Sequence, residues 1–99
     1  MALYPMLQSV NKDTVGAEVI PRMIGAKEPP AKMVIQIAVT GTARVQIQGR
    51  ITRDAPWQDI GGNHSASTLM HIDPVQFVRA VATEIAPGAN ASAWAAWGW

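Results

Sequence analysis

Thr42-Ala43-Arg44-Val45-Gln46-Ile47-Gln48-Gly49-Arg50-Ile51-Thr52 is the stretch whose reading decides the fold class of this chain. Ala43, Val45, Ile47 and Ile51 fall on one side of an extended backbone. Thr42, Arg44, Gln46, Gln48, Arg50 and Thr52 fall on the other. Successive side chains of a strand point to opposite faces, so a period of two marks a strand with one buried face. Wound into a helix, the same residues would scatter around its circumference. Gly49 takes an inward position without a side chain and marks a bulge or bend. Just upstream, Met33, Ile35, Ile37 and Val39 alternate with Val34, Gln36, Ala38 and Thr40. Val39-Thr40-Gly41-Thr42 supplies a tight turn, so 33–39 and 42–52 read as a hairpin.

Beyond this strand, Asp54-Ala55-Pro56-Trp57 is a turn whose Trp57 packs over one end of the domain. Gln58-Asp59-Ile60 is short, Gly61-Gly62-Asn63 reads as a turn, and Ser65 to Ile72 reads as a strand. Ala89 to Trp99 is uncharged and forms a final strand. Residues 73–86 fit two patterns. Asp73-Pro74 would cap and open a helix with Val75, Val78, Ala82 and Ile85 on one face, stopped by Pro87-Gly88. Alternatively Phe77, Arg79, Val81 and Thr83 alternate with Val78, Ala80 and Ala82 in a strand; the local pattern leans slightly to the helix. Residues 1–32 stand apart from the domain at 33–99. Pro5, Pro21, Pro29 and Pro30 interrupt them, Val15 to Ile20 allows a short strand that Met23-Ile24 continues, and Glu28-Pro29-Pro30 is a stiff connector. They read as an extended N-terminal arm or edge segment able to add a strand to a neighbour's sheet, and equally as an ordinary opening strand and loop.

At 99 residues the chain holds one modest core. Charged residues make up 15% of it and the net charge is +1, with no basic run, so a set of phosphate contacts for nucleic acid is missing. A low charge density suits an assembly subunit, whose contact surfaces are depleted in Lys, Glu and Asp. Cysteine is absent, which removes disulfides, thiolate metal sites and Cys nucleophiles. The start, Met1-Ala-Leu-Tyr-Pro-Met-Leu-Gln, does not read as a signal peptide, and no stretch approaches the ~20 apolar residues of a membrane span. Synthesis in the cytoplasm and no membrane partner are the expectations.

Candidate chemistry is sparse. His64 and His71 lie near Asp59 and Asp73, but a metal site needs three or four convergent ligands, so no metal and no cofactor are expected. Ser65 and Ser67 neighbour His64 without a Gly-x-Ser-x-Gly elbow, and Gly61-Gly62-Asn63 lacks the lysine of a phosphate loop. Asn63-His-Ser and Asn90-Ala-Ser match the glycosylation sequon only by composition. No catalytic constellation assembles, and the chain reads as a non-enzyme. The tryptophans carry more information. In a strand Trp97 and Trp99 share a face and Trp94 takes the other, so at least one needs cover from elsewhere. Tryptophan is enriched at interface anchors. Tyr4, Met6, Leu7, Trp94, Trp97 and Trp99 are therefore the candidate interface residues, closure of the domain's own core being the equal alternative. Arg44, Arg50 and Arg79 are strand arginines that are either solvated or paired with acids on a partner.

Gly41-Thr-Ala-Arg-Val-Gln-Ile-Gln-Gly-Arg, Ala55-Pro-Trp, Phe77-Val-Arg-Ala-Val-Ala-Thr and Gly88-Ala-Asn-Ala-Ser-Ala-Trp together resemble a recurring pattern in small β-sandwich virion structural proteins of tailed bacteriophages and prophages. The likeness covers about residues 33–97 and leaves out the N-terminal third. It implies an all-β fold, an antiparallel β-sandwich of about seven or eight strands in which 75–85 is a strand. It implies a virion structural protein made in the host cytoplasm. The expected role is capsid decoration or cement, binding the capsid surface across subunit junctions, with the major capsid protein or other virion proteins as partners and a homo-oligomeric state. A tail, baseplate or fibre-attachment component is the first alternative. A carbohydrate- or receptor-binding module using exposed tryptophans is the second.

Overall fold

Val45 and Ile47 are fully buried, while Arg44, Gln46, Gln48 and Arg50 lie on the opposite face of their strand, as the alternation requires. The structure, a computed structural model, describes residues 2–20, 33–73 and 75–97. Its strands are β1 (Ala2–Val10), β2 (Thr14–Val15), β3 (Met33–Thr40), β4 (Arg44–Arg50), β5 (Gln58–His64), β6 (Thr68–Ile72), β7 (Phe77–Thr83) and β8 (Asn90–Trp97). Sheet A has the order β1-β8-β3-β6 and sheet B the order β2-β7-β4-β5, all pairs antiparallel. The fold is an all-β sandwich, and among the described residues no helix occurs. Residues 77–83, open to two readings locally, form the strand β7. Met23-Ile24, Glu28-Pro29-Pro30, Pro74 and Trp99 lie outside the described residues.

The expected hairpin of 33–39 with 42–52 does not form. β3 pairs with β6 and β8 in sheet A, and β4 pairs with β5 and β7 in sheet B. The link between them passes from one sheet to the other through Gly41, whose φ of +77° is costly for residues with a Cβ. Alternation tells which side chains turn inward, but not which sheet a strand joins. Across this link, Met33, Ile35 and Ile37 of sheet A and Ala43, Val45 and Ile47 of sheet B become parts of one core.

Gly61-Gly62-Asn63 is likewise not a turn. Val45 pairs with His64 and Ile47 with Ile60, so Gly61, Gly62 and Asn63 of β5 stand opposite Gln46 alone. The extra residues make a bulge inside an edge strand, a common device for blunting an edge. Gly49, expected to mark a bulge or bend, pairs regularly with Gln58 and Val78. Its missing side chain makes room for Ile60 and Val75, against which a Cβ would collide.

The first twenty residues supply edge strands to both sheets. β1 pairs along β8, and β2 and Val19 pair with β7. The ladder of β1 is thus engaged within the subunit. Two register shifts in β1 bring Met6 and Leu7, adjacent in sequence, into the core together. They add volume beside Ala91, Ala93 and Ala95 of β8 and Ala80 and Ala82 of β7, all small and fully buried. The chain changes sheets between Val10, the end of β1, and Thr14, the start of β2, and Gly16 follows β2 where the two layers meet. The Gly16 N–H donates to the Ala80 carbonyl at 2.7 Å, and the Ala17 N–H donates to the Met6 carbonyl at 3.1 Å. One side of the sandwich is closed at this point. A Cβ on Gly16 would run into the backbone oxygens of Met6 and Ala80, which cannot rotate away.

Gly16→Val is expected to destabilise the domain by roughly 1–3 kcal/mol, the usual cost of overpacking. Gly62→Val, at an exposed bulge position with open space around it, should cost much less. Denaturant midpoints of the two variants check this.

Candidate interaction faces

The two sheets divide the charges unequally. β1, β3, β6 and β8 contain no Lys, Arg, Asp or Glu, whereas β4, β5 and β7 carry Arg44, Arg50, Asp59 and Arg79. The outer faces therefore differ in kind.

On the outer face of sheet B the polar groups are bound mostly to one another. Glu18, placed by the segment that follows Gly16, accepts from Arg50 Nη2 at 2.9 Å and lies 3.5 Å from Arg53 Nη1. Arg50 Nη1 donates to the Arg53 carbonyl at 3.0 Å, while its buried Nε has no partner. Trp57 does not close an end of the sandwich. Its ring packs on this face, 4.4 Å from the Arg50 guanidinium and 4.3 Å from that of Arg79. Phe77 lies beneath Arg50 and Arg53 at 5.4 and 4.8 Å. Such cation–π contacts gain strength where water is partly excluded. Arg79 Nε donates to Gln48 Oε1 at 2.9 Å, and Gln48 Nε2 donates to Asp59 Oδ1 at 3.0 Å. Arg44 meets Glu84 at 2.7 Å. Arg44 and Arg50, read as solvated or awaiting a partner's acids, thus have carboxylates of their own chain.

The outer face of sheet A has no such network. The register sets Leu3, Ala96, Val34 and His71 in one row across β1, β8, β3 and β6, and Pro5, Trp94, Gln36 and Leu69 in the next. Leu3 and Leu69 are 66% and 65% exposed. With Trp94 they wall a shallow hollow of about 290 Å³ floored by Val34, Gln36 and Ala96. Scattered apolar residues are ordinary on a surface, but a contiguous apolar patch is characteristic of contact sites.

The candidate interface residues separate accordingly. Met6, Leu7 and Trp97 lie in the core of this chain and offer no surface to a partner. Tyr4 is 39% exposed and stacks on Trp97 with ring centroids 4.5 Å apart and planes 10° from parallel, covering one end of the core. Trp94 remains on the outer face of sheet A, and Trp99 lies outside the described residues. Reasoning from tryptophans alone missed Leu3, Val34 and Leu69. The signal that finds them is the lack of charge in four separate strands, which becomes a face only once the strand order is known.

The other candidates stay apart. His64 is half-buried on β5 with Nε2 enclosed and without a partner, and His71 is exposed on β6. Among the described residues no three His, Cys, Asp or Glu side chains converge on a metal position. Ser67 Oγ accepts from the Val39 N–H at 3.1 Å, a link between the β5–β6 turn and β3. No described helix is long and apolar enough to cross a membrane. Comparison with known proteins gives no matching family model, no matching curated protein and no matching solved structure.

Glu18→Gln leaves Arg50, whose side chain is only 17% exposed, without its carboxylate. It should cost about 1–3 kcal/mol. Glu84→Gln breaks a pair in which both side chains are more than half exposed, and should cost under about 1 kcal/mol. Equilibrium unfolding of the two variants measures the difference.

Proposed function

We propose that this chain is a non-enzymatic structural subunit of a tailed-phage particle, a decoration or cement protein that binds the capsid surface across subunit junctions. The resemblance in residues 33–97 suggests the setting. The observation that carries the reading is the uncharged outer face of sheet A, with Trp94, Leu3 and Leu69 around a shallow apolar hollow. A face without charges can be covered by a partner at little desolvation cost, because no ion has to leave water. The charges of the opposite sheet are mostly paired within the chain, so that face gives a partner less reason to bind. The partner in this reading is the major capsid protein or another virion protein, and several copies act together as a homo-oligomer on the particle.

A carbohydrate- or receptor-binding module is the second reading, and it uses the same face. Trp94 beside Gln36 pairs an aromatic ring with an amide, the combination that holds a sugar ring.

The double variant Leu3→Glu, Leu69→Glu should fold, because both side chains are exposed. Its incorporation into particles should fall by about tenfold or more, because two unpaired charges would be enclosed in the contact. Quantitative mass spectrometry of purified particles reads the result. Many copies per particle are expected for decoration. A few copies would point to a tail, baseplate or fibre fitting. Absence from particles, together with glycan binding lost on Trp94→Ala, would establish the second reading instead.

A further inference from the structure

On the outer face of sheet B one arginine has no carboxylate within reach among the described residues. Arg44, Arg50 and Arg53 each have a carboxylate of this chain within reach, and Arg79 has none among the described residues. Asp59, the acid nearest to it in the hydrogen-bond chain, is bound to the Gln48 amide instead. The guanidiniums of Arg50 and Arg79 lie over Trp57 and those of Arg50 and Arg53 over Phe77, and Glu18 pairs with Arg50 and Arg53.

Arg79 is also held still. Gln48 has its amide orientation set by donating to Asp59, so its oxygen is the atom that receives Arg79 Nε. The guanidinium carbon lies over the Trp57 ring, 4.3 Å from its centroid. Nε and one face are thus occupied. Among the described residues no hydrogen bond reaches Nη1 or Nη2, and neither atom is enclosed, so both meet the surface. A guanidinium fixed along one edge with its terminal fork open matches the two oxygens of a carboxylate. A lysine at this position would offer a point charge without the fork.

We propose that Arg79, held by Gln48 and Trp57, is a docking point for an acidic side chain, Asp or Glu, of a protein partner. Charge complementarity selects this occupant: among the described residues no carboxylate reaches Arg79, and its fork is shaped for one. The site lies on the face opposite the apolar hollow and rests on the geometry of sheet B, independently of the virion reading. A chain with contacts on both faces can bridge two neighbours.

Hexaglutamate peptide at low ionic strength is a suitable probe, with hexaglutamine and free glutarate as controls. Binding is followed on the side-chain Nε–H resonances of the arginines and the indole N–H of Trp57. Hexaglutamate should shift Arg79 and Trp57 in a saturable way. Arg79→Lys should weaken binding on the order of tenfold. Arg44→Gln, which removes a cation that Glu84 already matches, should change binding by less than about twofold. Equal binding by the Arg79→Lys variant, an equal loss with Arg44→Gln, or binding of hexaglutamine would overturn the assignment. Glutarate binding as tightly as the peptide would overturn the protein partner in favour of a small acid. If Arg79→Lys does not fold, the wild-type titration decides: shifts confined to Arg79 and Trp57 support the site, and equal shifts at Arg44 and Arg53 refute it.

Discussion

Two backbone hydrogen bonds beside Gly16, one to Ala80 of sheet B and one to Met6 of sheet A, tie the two layers together along one side. Buried backbone groups must find partners, and here each sheet supplies one to the same short segment. This junction needs a residue without a Cβ. It also sets what lies on either side of it. β1 falls on the edge of sheet A with Met6 and Leu7 turned inward, and Val19 falls beside Val78 in sheet B. Between them Glu18 is carried to Arg50 and Arg53. The small inward residues of β7 and β8 leave room that Met6 and Leu7 of the opening segment occupy in the same core.

This closure explains why the two faces differ. Glu18 reaches the outer face of sheet B from the segment between Gly16 and Val19, which runs beside β7. There it neutralises Arg50, and the guanidiniums of Arg50 and Arg79 both pack on the Trp57 ring. The polar side chains of β4 are thereby engaged within the chain, while on β7 the fork of Arg79 stays open. Sheet A receives no charged residue from any of its strands. Its outer face keeps Leu3, Leu69 and Trp94 in contact with water, and covering them offers the larger apolar gain.

Most of the strand read at 42–52 was legible, as Arg44–Arg50, because an alternating run has a single interpretation at this length; Ile51, read as inward, instead lies in the bend after the strand and is exposed. The inward set Ala43, Val45 and Ile47 was legible for the same reason. The sheet to which each strand belongs was not. β3 and β4 satisfy the same alternation whether they pair in one sheet or face each other across the core, and only their pairing with β6, β8, β5 and β7 distinguishes these. Gly61-Gly62-Asn63 carries turn residues, yet a bulge uses the same backbone freedom. Met6 and Leu7 escaped a period-two reading because a register shift places neighbours on the same side. Of the candidate contact residues, Trp94 was legible from its parity against Trp97. Leu3, Val34 and Leu69 come from three separate strands, and Glu18 lies far from Arg50 in sequence, so sequence order hides both groupings.

Amide hydrogen exchange tests the closure most directly. If residues 2–20 are an integral part of the sandwich, the Gly16 and Val19 amides, bonded to Ala80 and Val78, open only when the whole domain unfolds. Their protection should then equal that of Val45 and Ile47 in β4 and shift with denaturant by the same slope. Exchange at Gly16 and Val19 through a separate, lower-energy opening, with β4 still protected, would contradict it.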